Sequence, residues 1–251
     1  MTSGANRLAA HLTDWLRREV EAGGGEGAVF GLSGGVDSAV VGALARRAFA
    51  ERALGVLMPC HSDPADADDA ALCARALDLA TVTVDLGPAY DALVAALGEA
   101  SPELPGHRLA TANLKPRLRM TTLYAFANLL GYRVLGTGNL DELTIGYFTK
   151  FGDGACDLLP LGSLTKGEVR DLARELGLPP RIIEKAPSAG LWAGQTDEGE
   201  MGLTYADLDA FVRGGEVAPQ PRARIEALRA ASAHKRALPK VAPLPEDPQA
   251  S

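Results

Sequence analysis

Apolar positions recur at two different spacings along this chain, and the alternation between them predicts its architecture. Leu8, Leu12, Trp15, Leu16 and Val20 fall near helical intervals and predict an amphipathic helix over residues 5–21, which the glycines at 23–25 and 27 end. "AVFGL" (28–32) reads as a short buried strand, and Val36 to about Ala50 as a helix. "ALGVLMP" (53–59) is the next strand, followed by a polar loop and a helix near 64–79. "TVTVDL" (81–86) is a third strand, and Pro88 suits the opening of another helix. Residues 113–130 read as helical, and "YRVLGTGN" (132–139) as a fourth strand and turn. A short extended piece begins at Leu159, before a helix capped by Thr165 with Glu168 at the reciprocal position. Gly177 and the two prolines after it stop that helix. Residues 186–204 are rich in Gly, Gln, Asp and Glu with little periodicity, which predicts a long mobile loop. A final helix is expected near 218–235, and the Pro-rich tail (238–251) is expected to be irregular. Apolar runs alternating with helices imply α/β architecture: one parallel sheet of about five strands with helices on both faces.

Composition narrows this picture without redirecting it. The 251 residues suit a single domain over 1–251 with an ample core. No stretch approaches the roughly 20 apolar residues needed to cross a bilayer, and the amino terminus lacks the apolar core of a secretory signal. Membrane association is therefore not expected. Cys60, Cys73 and Cys156 are widely spaced, form no CxxC pair, and fit a reducing cytoplasm. A net charge of -7 argues against a nucleic-acid partner, and an anionic substrate must be met by local positive charge.

The candidate chemistry begins where the first strand meets the second helix, in "FGLSGGVDSAVVGALARRAF" (30–49). Strand, Gly-rich turn and helix is the geometry in which backbone N–H groups and a helix dipole receive an anion. The Walker pattern G-x-x-x-x-G-K-[ST], counted from Gly31, puts Val36 at its second glycine and Asp37 at its lysine, so it fails. The dinucleotide pattern G-x-G-x-x-G fails at Ser33. What remains is Ser33-Gly34-Gly35-Val36-Asp37-Ser38: two glycines allowing close approach, two hydroxyls and a carboxylate. A bare carboxylate repels phosphate, so Asp37 makes sense beside phosphate with a cation between them, and Mg²⁺ is the natural candidate. The competing reading is an ordinary turn with Asp37 favouring a helix dipole.

"SGGVDS" resembles the pyrophosphatase loop of the ATP-pyrophosphatase (PP-loop) superfamily, whose members cleave ATP to AMP and pyrophosphate while adenylating a substrate. Two further blocks, "GTGNLDELTIGYFTKFGDGACDLLPLGSLTKGEVRDLARELG" (136–177) and "LWAGQTDEGEMGLTYADLD" (191–209), resemble the NAD synthetase family. The resemblance extends with gaps from the amino-terminal helix to "HKR" (234–236). It implies an adenine nucleotide α-hydrolase-like (Rossmann-like) fold and an ammonia-dependent ligase acting on ATP and deamido-NAD, without a glutaminase domain. By the same resemblance, Gly31, Leu32, Ser33, Gly34, Gly35, Val36, Asp37, Ser38, Thr137 and Lys166 meet ATP, while Asp37 and Glu142 hold Mg²⁺. Met58 lies where the family reads adenine, although a core position serves that residue equally well. Asn113, Arg117, Lys150, Asp153, Asp157, His234 and Lys235 are implied for deamido-NAD, with Asp153 and Lys166 catalytic.

Several of these residues have ordinary readings too. Asn113 would also serve as a helix cap, Gly152-Asp153-Gly154 as a plain turn, and Glu142 as a solvated helix-start charge. Lys115 and Arg119 are four apart and share a helix face, while Arg117 points elsewhere. Pro116 stands where a small helical residue is expected and shifts the helix start. The family also implies a homodimer with the dinucleotide near the interface, and a mobile cover over 187–204. The rivals are another PP-loop ligase, a thiolase using Cys156, and a non-catalytic nucleotide-binding protein.

Overall fold

The computed structural model describes residues 4–188, 190–192 and 194–244. Four parallel strands, β1 (Ala28–Gly31), β2 (Ala53–Leu57), β3 (Ala80–Thr83) and β4 (Arg133–Val134), lie in the order β3-β2-β1-β4. Residues of β1 alternate between two cores, as a strand's two-residue period requires. Ala28 and Phe30 enter one cluster and Val29 the other.

On the first face pack α1 (Gly4–Ala22), α2 (Val36–Phe49), α3 (Pro64–Ala76), α8 (Lys166–Glu175) and α9 (Pro180–Ile183), joined through Leu16, Leu44, Leu172 and Ile182. On the second face α4 (Gly87–Ala100) and α6 (Leu114–Leu130) bring Tyr90, Leu123 and Ala127 against Val29, Val56 and Val134. Short α5 (Arg108–Ala112) leads into α6. A third, smaller cluster joins α7 (Leu140–Ile145), α10 (Asp197–Met201), α11 (Tyr205–Val212) and α12 (Pro219–Ala231) beyond the sheet's edge.

Three expectations change. The fifth strand is reduced to one bridge, Leu135 to Leu158, because turns at 159–162 and 161–164 curl the chain away immediately afterwards. The stretch 186–204 contains α10, whose N-cap Thr196 accepts from Gly199 N–H. A helix this short and polar carries too little periodicity to be read in advance. The last helix stops at Ala231, and residues 233–235 form a separate 3₁₀ turn. Of the tail expected to be irregular, 238–244 carries no regular structure, while 245–251 lies outside the described residues.

Candidate active site

The Gly-rich loop leaves β1 at Gly31 and enters α2 at Val36, at the carboxyl end of the central strand, where open α/β sheets bind ligands. Its two hydroxyls are locked together. Ser33 and Ser38 Oγ stand 3.1 Å apart, Ser33 N–H donates to Ser38 Oγ (3.2 Å), and Ser38 Oγ–H donates to Gly35 O (2.9 Å). Gly34 has φ +81°, and a Cβ there would come within 2.8 Å of Asp66 O and Ala70 N in α3. The protein itself therefore requires that glycine. Gly35 differs: its φ is −84°, and an added Cβ would meet only Ser33 Oγ, at 3.4 Å. Nothing among the described residues demands a glycine there, which fits a ligand lying close against the backbone.

Asp37, in the first turn of α2, faces α8 across the end of the sheet. Its Oδ2 accepts an ion pair from Lys166 Nζ, and its Oδ1 accepts from Asn139 Nδ2 (3.3 Å). Asn139 caps α7 in a reciprocal box, accepting from Glu142 N–H while Glu142 Oε2 accepts from Asn139 N–H (3.0 Å). One buried asparagine thus ties both candidate metal carboxylates together. Burial first, and then the charge of Asp37, push the Glu142 carboxyl up to about 8. A site that raises a carboxyl in this way favours a cation beside it. Burial opposes the charge on Lys166, yet Asp37 and Glu142 outweigh it and leave its pKa above the ordinary lysine value.

Lys166 is the first residue of α8, capped by the predicted Thr165–Glu168 box, and its ammonium lies 5.1 Å from the Tyr205 ring centre. A buried and a half-buried carboxylate also receive that helix start. Asp141 Oδ2 accepts from Lys166 N–H (2.7 Å) and Asp209 Oδ2 from Gly167 N–H (3.1 Å). Thr137 sits between Gly136 and Gly138 in the turn after β4. Met58 is buried with Val29, Val56 and Cys60, and its methyl group would be 3.3 Å from a Cβ on Gly31.

A second constellation forms around the 147–154 turn. Thr149 Oγ1 donates to Asn113 Oδ1 (2.8 Å), and Thr149 N–H donates to Asp153 Oδ1 (2.9 Å). Asn113 makes no side-chain cap to α6, so its capping reading gives way. Asp153 keeps solvent-exposed surface, yet the protein crowding its carboxyl pushes its pKa up. Arg117 is exposed and donates to Lys150 O (3.4 Å), while Lys150 Nζ donates to His234 O (2.7 Å). Lys235 Nζ donates to Gly146 O (2.8 Å) and Phe148 O (2.7 Å). Six of the seven residues implied for the dinucleotide therefore meet at this turn. Asp157 stands apart: its oxygens accept from Val134 N–H (2.8 Å) and Tyr124 Oη–H (3.2 Å). Pro116 is the third residue of α6, where the missing N–H is one of four without an intrahelical partner anyway.

Sequence reading passed over Asn139, Asp141, Tyr147, Gln195, Tyr205 and Asp209. Asn139 was legible, since Asn three residues before Glu is a capping signature. The others act through contacts no local pattern records. Tyr147 Oη–H, for example, donates to Glu200 (2.8 Å), and Tyr205 Oη–H to Asp197 (3.0 Å), binding the cover segment to the sheet's end. Cys156 packs beneath Gly136, where burial pushes its thiol up to about 11. A neutral thiol there does not suit a thiolase nucleophile.

The NAD synthase family model matches residues 8–239. The NH(3)-dependent NAD(+) synthetase of Carboxydothermus hydrogenoformans is 53% identical over 92% of this chain and 94% of its own length. That of Alkaliphilus oremlandii is 43% identical over 95% and 98%. Among solved structures, an NMN synthetase from Francisella tularensis superposes with TM-score 0.90 at 38% identity, covering 98% of this chain and all of its own. An NAD+ synthetase from Burkholderia pseudomallei gives 0.78 at 32% identity, covering 95% and 92%. With its phosphate-type loop, the Asp37–Asn139–Glu142 bridge and these relatives over nearly its whole length, the chain belongs to the NAD synthase family.

Proposed function

We propose that this protein amidates deamido-NAD with ammonia at the expense of ATP, giving NAD, AMP and pyrophosphate. The observation that carries the reading is the convergence of Asp37, Glu142 and Lys166 at the carboxyl end of β1, joined through Asn139. Asp37 and Glu142 would hold Mg²⁺. Among the described residues no cluster of three metal-type side chains exists, but Mg²⁺ needs only one or two carboxylates when substrate phosphates complete its shell. When bound, the ion neutralises charge on the pyrophosphate leaving group. The nicotinate carboxylate attacks the α-phosphorus, the bond to the β-phosphate oxygen breaks, and pyrophosphate leaves. Lys166 trades its contact with Asp37 for phosphate oxygens as charge develops there. Ammonia then adds its lone pair to the acyl carbon and AMP departs. Asp153, its pKa raised, orients ammonium and accepts the proton the nitrogen sheds. Asn113, Arg117, Lys150, His234 and Lys235 position the dinucleotide, while Asp157, apart from them, accepts from Val134 N–H and Tyr124 Oη–H. A cytoplasmic homodimer is part of the same reading.

Incubation with Mg-ATP, ammonium and deamido-NAD should form NAD, AMP and pyrophosphate in equal amounts, lost in Asp37→Ala and Glu142→Ala. Absence of ATP cleavage in the wild type would refute the assignment. Asp153→Asn should slow the ammonia-dependent step strongly while leaving pyrophosphate formation in place. A second reading draws on the 0.90 superposition with an NMN synthetase, namely that nicotinate mononucleotide is the acid amidated. Comparing kcat/KM for the two acids decides between them.

A further inference from the structure

Among the described residues, two buried or half-buried cations near the Gly-rich loop have no carboxylate to answer them. Lys115 is 6% exposed, and Arg119, one helical turn on, is partly buried beside it. Lys115 Nζ donates to Leu191 O (2.8 Å) and lies 5.6 Å from the Tyr90 ring centre. Arg119 Nε donates to Met58 O (3.3 Å). Among the described residues neither has an acid within ion-pair distance, although the chain carries 32 Asp and Glu against 25 Lys and Arg. The contact that positions Arg119 is the one its Nε makes to Met58 O, at the end of β2. Burial pulls both cations' pKa values down, as expected where the charge is uncompensated.

Such a charge is costly unless something pairs with it. Among the described residues the pairing is not internal. Met58 links Arg119 to the loop: its carbonyl takes Arg119 Nε, and its methyl group rests against Gly31. The two Nη groups have no protein partner among the described residues. A planar guanidinium with free N–H groups is suited to two oxygens of a phosphoryl group. In the activity proposed above, Lys166, Asp37 and Glu142 serve the departing pyrophosphate. The anion left for Arg119 is the phosphoryl group that stays with the adenylate.

Resting on the activity proposed above, we infer that Arg119 is a catalytic residue that contacts the α-phosphoryl oxygens of ATP during adenylation, with Lys115 holding the cover segment through Leu191 while adding positive charge behind it. In this step the nicotinate oxygen–phosphorus bond forms as the bond to pyrophosphate breaks, and Arg119 balances the charge gathered on the equatorial oxygens.

The test uses the full-length protein with Mg-ATP and deamido-NAD, measuring pyrophosphate release in single turnovers and Tm in parallel. Arg119→Ala should slow pyrophosphate release about 100-fold or more, with the half-saturating Mg-ATP changed less than about threefold and Tm close to wild type. Added guanidinium ion should restore part of the rate, which it would not do for a merely structural arginine. Arg119→Lys should fall between. Wild-type pyrophosphate release in Arg119→Ala overturns the inference, as does a loss that follows Tm and is insensitive to guanidinium. A wild-type protein that never cleaves ATP instead removes the underlying activity, so the two failures are distinct.

Discussion

Asn139 shows how much chemistry one buried side chain organises. Its amide donates to Asp37, its carbonyl oxygen caps α7, and its backbone N–H donates to Glu142 Oε2. Residues that orient metal-binding groups in this way are typically worth 10–100-fold in affinity or activity. Asn139→Ala should therefore raise the Mg²⁺ concentration needed for half-maximal pyrophosphate release by about 10-fold or more. Asn139→Asp keeps the capping oxygen but adds a third negative charge and loses the donor to Asp37, so it should be worse. Unchanged Mg²⁺ titrations in both variants would remove this role.

At the scale of elements, helix ends decide where the functional groups stand. Thr165 caps α8 and so fixes Lys166 at its first position; Thr165→Ala should cost about 1 kcal/mol, read as a lower urea midpoint. Gly146 ends α7 at φ +70°, and a Cβ there would run into Ser232, whose hydroxyl donates to Ile145 O (2.8 Å). Gly177 ends its turn at a similar φ of +73°, with nothing within 4 Å of an added Cβ. Gly177→Ala should therefore cost only the left-handed strain, about 1–2 kcal/mol. Gly146→Ala should cost distinctly more and also weaken turnover, because α12 carries the 233–235 turn whose Lys235 grips Gly146 and Phe148. Equal urea midpoints for the two variants would contradict this.

Across the whole molecule, packing brings together charges that the sequence keeps far apart. Asp141 and Asp209 meet at the start of α8, each with one buried oxygen that has no hydrogen-bond partner among the described residues. Burial first, with Asp209 beside it, pushes the Asp141 carboxyl from 3.8 up to about 7. The folded state thus favours the protonated form. The stabilisation this supplies is fully present below the unfolded pKa near 3.8 and is lost as pH rises through about 7. Asp209→Asn removes the neighbouring charge while keeping an acceptor for Gly167 N–H. The stability lost between pH 5 and pH 8 should shrink by about 1 kcal/mol or more in that variant. Urea midpoints at the two pH values check it, and an unchanged difference would rule out the shared-charge account. For the proposed homodimer, sedimentation should give about twice the 26.2 kDa chain mass at micromolar concentration.

The sequence by itself determined the alternation of strands and helices, the Gly-rich loop at Ser33–Ser38 and the cap at Thr165, because each depends on residues within a few positions of one another. Long-range pairing decided the rest. The fifth strand shrank to the Leu135–Leu158 bridge because the turns after it curl away, and α10 formed in a segment too short and polar for periodicity to mark. Helical spacing puts Arg117 and Arg119 on different faces, but only the fold leaves Arg117 exposed and draws Arg119 in against Met58. Only the folded chain sets Lys166 against Asp37, 129 positions away, since the carboxyl end of a parallel sheet collects loops from distant parts of the sequence.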